Sequence, residues 1–171
     1  MKNKSILLAF ISLTVSNLVI ANTSDTRELA KENYERVNRV FSDTKLGKRN
    51  AMKKEFVDKI LIDIEKVNKV TPYKIDETLT LIRASYKNDI KTTYSEYDIK
   101  KAMSLYKTNR AGVIKRLKAA ISSNLIQEKF CSNFSMATAI EMYGIMFQDI
   151  YTEKGTNNVI AKNVLQTCKI Q

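Results

Sequence analysis

The chain has no histidine and no tryptophan, and only one proline, four glycines and two cysteines among its 171 residues. Each scarcity removes a class of chemistry. Two cysteines without an imidazole cannot close a tetrahedral zinc site. Without histidine the Ser-His-Asp and Cys-His arrangements of nucleophilic catalysis are gone. Four dispersed glycines leave no glycine-rich phosphate cradle. No cofactor and no metal is expected. Acids are also in short supply, with 18 Asp+Glu against 29 Lys+Arg and a formal net charge of +11. Apolar residues are not: they make up 44% of the chain, which argues against disorder and for a buried core.

Long apolar runs are absent except at the start. Lys2 and Lys4 precede the mostly apolar, uncharged stretch Ile6–Ile20, and Val19 and Ala21 fit a small-residue cleavage site. The run falls short of the roughly 20 residues that span a bilayer. Residues 1–21 are therefore expected to be a signal peptide, an uncleaved N-terminal anchor being the alternative. No cysteine follows Ala21 directly, so lipoprotein processing is not indicated. The remainder, 22–171, is expected to be a single exported domain, periplasmic or secreted. Export makes the cysteines legible. Cys131 and Cys168 are the only two, and an oxidising compartment favours a disulfide between them. A redox pair is the weaker reading, because there is no C-x-x-C spacing.

The periodicity reads as mainly α, a single compact helical domain of about five or six helices. Asp25–Glu28 resembles a capping pattern before Leu29, Tyr34, Val37, Val40 and Phe41, and Gly47 marks a stop. Met52, Phe56, Ile60, Ile64 and Val67 form a second stripe. Thr71-Pro72 is expected to open a third helix carrying Ile75, Leu79, Ile82 and Tyr86. Ser95–Asp98 opens a fourth, Asn109 caps a fifth with Val113, Leu117, Ile121 and Leu125, and a sixth covers about Ser132–Tyr143. After Gly144 the character changes. Ile145–Tyr151 and Asn158–Leu165, separated by Glu153–Thr156, read as a small C-terminal β-hairpin closing the domain, or else as the end of one helix and the start of another.

Few residues invite a catalytic reading. Asp149 lies between Phe147 and Tyr151, where burial among aromatics raises a carboxyl pKa. The plainer expectation is that it points to solvent while its neighbours point inward. Glu141 has no reason to meet it, so no glycosidase-like carboxylate pair is indicated. Among the tyrosines, Tyr86 and Tyr106 extend apolar stripes and read as core, whereas Tyr94 and Tyr97 read as surface. Asn22-Thr-Ser24 and Asn133-Phe-Ser135 are sequons that matter only in a eukaryotic source.

Charge distribution carries the most information. Lys45, Lys48, Arg49, Lys53 and Lys54 run without an acid. Between residues 100 and 127 there is again no acid, and Lys100, Lys101, Lys107, Arg110, Lys115, Arg116 and Lys118 are all basic. A solvated helix face is the ordinary meaning of such a run. A surface contacting an anionic partner is the sharper one, since clustered charge concentrates counter-ions. The expected function is a non-enzymatic exported binding protein of the bacterial envelope (adaptor, chaperone or immunity-type protein). Its partner is expected to be a protein or an anionic envelope surface. A secreted effector or toxin acting on membranes or target cells is the alternative, and a carboxylate hydrolase is a distant third. Nucleic acid is not an expected partner, because no base-reading motif is present.

Overall fold

The structure, a computed structural model, describes residues 23–122 and 124–169. The expected signal peptide lies outside the described residues. In chain order the elements are α1 (Thr23–Asp43), α2 (Leu46–Val70), β1 (Tyr73–Lys74), β2 (Leu79–Lys87), β3 (Ile90–Tyr97), α3 (Ile99–Tyr106), α4 (Arg110–Ile121), α5 (Asn124–Cys131), α6 (Phe134–Glu141), β4 (Met146–Glu153) and β5 (Val159–Leu165). The strands form one mixed sheet in the order β1-β2-β3-β4-β5. Neighbours are antiparallel except β3 and β4, which run parallel. Joining two parallel strands takes a long crossover, here α3 to α6. No helix among the described residues is long and apolar enough to cross a membrane.

This is an α+β fold, and the mainly-α expectation is wrong. The error has a local cause in residues 71–98. Leu79 and Leu81 are buried in β2 by period-two alternation, but the pairing with β3 slips between Leu81 and Arg83. That bulge brings Ala84 back to the buried face. An extra residue inside an alternating strand imitates the helical spacing of Leu79, Ile82 and Tyr86. Thr71-Pro72 does not open a helix either. Thr71 is the C-cap of α2, its amide donating to the Val67 carbonyl, and the Thr71-Pro72 bond is cis. Asn88 and Asp89 both have positive φ (52° and 60°), the backbone that a two-residue hairpin turn demands. Ser95 lies within β3, and Asp98 caps α3 by accepting from the Lys101 amide at 3.0 Å. Asn109 caps α4 as expected, accepting from the Gly112 amide at 2.9 Å. Gly47 is not a stop but sits in the first turn of α2.

The C-terminal hairpin exists, with Gly155 in its turn at φ 73°. It is not a small closing element, however: β4 lies inside the sheet between β3 and β5.

One face of the sheet carries the helices. Leu81, Ala84, Phe147 and Leu165 pack under α1, α2, α5 and α6. Leu79, Tyr97, Tyr151 and Ala161 pack under α3 and α4. In β4, Phe147 and Tyr151 are four residues apart and share a face, so the two clusters sit at opposite ends of the same sheet face. Polar side chains fix the helices. Asn68 of α2 imitates a strand neighbour, donating to the Ala84 carbonyl at 2.9 Å and accepting from the Ala84 amide at 2.8 Å. Lys53 donates to Asp89 at 2.6 Å, and the Tyr86 hydroxyl donates to the other carboxylate oxygen at 2.8 Å. Asn33 of α1 donates to the Cys131 and Ser132 carbonyls at the end of α5. The Cys131–Cys168 disulfide is present, with both residues fully buried. Beside it Glu141 accepts from the Cys168 amide and the Thr167 hydroxyl, which holds the C-terminal segment against α6.

Candidate functional site

The helices over the first cluster do not close on each other. Between α2 and the α5–α6 corner lies a cavity of about 650 Å³ floored by the sheet. One wall is the inner stripe of α2, with Phe56, Ile60, Ile64 and Val67. The opposite wall is Phe130, Asn133 and Met136. The α2 residues are the apolar positions that its periodicity predicts to face a core. The space exists because the floor is low in volume at Ala84 and Thr93, and because Asn68 anchors α2 to the β2 side of the sheet. Volumes of this size are typical of ligand and segment-binding clefts.

The floor is not wholly apolar. Lys91 and Thr93 of β3 and Phe147 and Asp149 of β4 line it. Lys91 is only 8% exposed. Its ammonium lies 5.9 Å from the centre of the Phe147 ring. Burial pulls the Lys91 pKa down to about 8, against the attraction of Asp149 and of Asp63 on α2. Burial likewise pushes the Asp149 carboxyl up to about 6, opposed by Lys91 and by a hydrogen bond from Thr93. A buried ammonium and a half-buried carboxyl in an apolar cleft can orient a bound segment through one charged or amide contact each.

Asp149 is thus an inward residue, contrary to the solvent-facing expectation. Phe147, Asp149 and Tyr151 are two residues apart in turn, so once this stretch is a strand all three share a face. Alternation, rightly applied, points Asp149 inward. Lys91 had no comparable signal, because β3 was not legible as a strand. Glu141 bonds to the C-terminal segment and does not meet Asp149. The tyrosines divide differently from expectation. Tyr97 is 6% exposed, its hydroxyl pKa raised by burial to about 12, while Tyr106 is 41% exposed. Tyr86 is held by Asp89, and Tyr94 stacks under the Arg83 guanidinium at 4.1 Å.

The seven bases of the acid-free stretch lie on α3 and α4, over the other end of the sheet. The structure brings acids to two of them from distant segments. Lys101 pairs with Glu77 at 3.0 Å and Arg110 with Glu153 at 2.8 Å. Lys100, Lys107, Lys115, Arg116 and Lys118 are exposed. Arg116 lies over the Tyr106 ring at 5.6 Å. None of the seven lines the cleft.

Fold and site together define an α+β protein with an apolar cleft on one end of its helical face and a basic surface on the other. The sequence matches no family model and no curated protein. Two solved structures are similar to it. One is a candidate secreted protein from Pseudomonas aeruginosa, with 16% identity and a TM-score of 0.46 over 74% of this chain and 99% of that one. The other is EpsS, a pilotin of the type 2 secretion system of Vibrio vulnificus, with 13% identity and a TM-score of 0.47 over 73% of this chain and 99% of that one. Neither likeness carries a residue role to this chain.

Proposed function

We propose that this chain is a non-enzymatic exported binding protein of a bacterial envelope, an adaptor that holds an apolar segment of a partner protein in the cleft between α2 and the α5–α6 corner. Its mature form begins at Asn22 after removal of the signal peptide. The observation that carries this reading is the cleft, about 650 Å³ of space walled by Phe56, Ile60, Ile64, Phe130 and Met136. Ile60, Ile64 and Phe130 are themselves buried, while Phe56 and Met136 stay partly exposed along the space between the helices, and an amphipathic helix laid into a groove is a recurrent way to fill such a space. The Lys91–Asp149 floor supports selectivity, since a segment whose polar groups complement these two side chains is favoured over one whose groups do not. The basic surface on α3 and α4 supports a second contact, with an anionic partner.

Cross-linking from inside the cleft tests the reading. A photoreactive residue at Met136, in the exported protein within its own cells, is expected to give one discrete adduct whose peptides map to an apolar segment of a single protein. Ala84→Leu, which projects from the floor into the cleft, is expected to abolish that adduct while leaving the circular dichroism unchanged. No adduct from position 136, or an adduct untouched by Ala84→Leu, would sink the proposal.

A further inference from the structure

The Cys131–Cys168 bond stands at the cleft. Cys131 is the last residue of α5, and its chain neighbours Phe130 and Ser132 both line the cleft wall. On the other side of the bond, Cys168 lies just past the end of β5, where Leu165 pairs with Phe147 of the floor. The bond therefore joins wall to floor. The Phe130 and Phe147 rings, 4.6 Å apart, make the noncovalent contact across the same gap. The other polar ties at this corner are hydrogen bonds. Asn33 donates to the Cys131 and Ser132 carbonyls, and Glu141 accepts from Thr167 and Cys168. Gln127 donates to the Thr167 and Lys169 carbonyls at 2.9 and 3.2 Å. Thr167 and Lys169 are exposed, so water competes for those bonds and they hold the corner only weakly.

We propose that forming the Cys131–Cys168 bond licenses the cleft: the oxidised chain holds its α5–α6 wall at a set distance from the floor and binds the segment, whereas the dithiol chain folds without a cleft ready to receive it. This rests on the proposed cleft and on export. A wall fixed beforehand removes part of the ordering cost of binding. The oxidant is a disulfide-bearing protein met after export, because thiols are kept reduced in the cytoplasm. One cysteine thiolate attacks that disulfide and forms a mixed disulfide. The second thiolate then displaces the oxidant's sulfur. The chain gives up both thiol protons and an electron pair, and the oxidant's disulfide becomes a dithiol. Both cysteines are fully buried in the folded chain, so no thiol reaches the finished bond. The step is made once, during folding outside the cytoplasm, and partner capture follows it.

The photoreactive residue at position 136 tests this in the exported protein within its own cells. It is placed in the parent, in Cys131→Ala with Cys168→Ala, and in Cys131→Val with Cys168→Ala, which fills more of the space the sulfurs leave. Both double variants are expected to keep the parent's circular dichroism and to lose adduct yield about tenfold or more, the cost of ordering the wall on binding. Val113→Ala is the control for stability. It truncates a buried side chain under α4, at the other end of the sheet, and is expected to keep the parent's yield. Full yield from a folded double variant would overturn the proposal and leave the cleft reading standing. An equal loss in Val113→Ala would also overturn it, since lowered stability would then explain both. So would failure of both double variants to fold, because the bond would then serve the fold and not the cleft. No adduct from the parent would remove the cleft reading and this proposal with it.

Discussion

Asp149 and Lys91 give the cleft a floor whose charge depends on pH. The Asp149 pKa stands near 6, above the ordinary carboxylate range. Between that range and about pH 6 the folded chain keeps a proton that the unfolded chain has released, so this group makes stability fall as pH rises. The Lys91 pKa stands near 8, below the ordinary lysine range. Above pH 8 the folded chain has released a proton that the unfolded chain still holds, so this group makes stability rise with pH. Both side chains are charged together between about pH 6 and pH 8, where the cost of burying them is greatest. Thr93 hydrogen-bonds Asp149, and Asp63 attracts Lys91 from α2. Asp149→Asn is therefore expected to gain on the parent between pH 4 and pH 7, at up to about 1.4 kcal/mol per pH unit in the steepest part. Paired thermal melts across that interval measure it. A variant–parent difference that is flat with pH would mean that Asp149 titrates as an exposed carboxylate.

At the scale of elements, most helices were legible and the sheet was not, although Leu125, read as the end of the α4 stripe, belongs to the separate helix α5. Stripes such as Phe56–Ile60–Ile64–Val67 and the capping residue Asn109 state a helix by local rules, and the structure follows them. The interior of the sheet is set by pairing between distant segments, which leaves a weaker mark. In β2 the bulge after Leu81 converts alternation into a helix-like spacing. In β3, Lys91, Thr93 and Ser95 face inward, so polarity gives the wrong side. The floor of the cleft is built from those two strands and β4, which is why the cleft could not be read from sequence even though α2, its longest wall, could. The disulfide was legible because cysteine pairing needs only a count and a compartment. It ties the end of α5 to the segment after β5, closing a loop with a sequence separation of 37. Chain entropy for such a loop contributes on the order of 3–4 kcal/mol. Cys168→Ser is expected to cost about 2–5 kcal/mol in urea unfolding. A loss well under 1 kcal/mol would show that Glu141 and the packing around Cys131 hold the C-terminal segment without the bond.

At the scale of the whole molecule, one sheet face presents two unlike surfaces. The cleft lies over the N-terminal ends of β3 and β4, and the basic helices α3 and α4 lie over their C-terminal ends. The central claim is that the cleft, not the basic surface, holds the protein partner. Amide hydrogen exchange on the chain purified with its bound partner, compared with the chain alone, tests that claim most directly. Slowed exchange is predicted in 56–67 of α2 and 130–136 of the α5–α6 corner, with 99–118 exchanging alike in the two samples. Slowed exchange confined to 99–118, with α2 and the α5–α6 corner unchanged, would contradict the account.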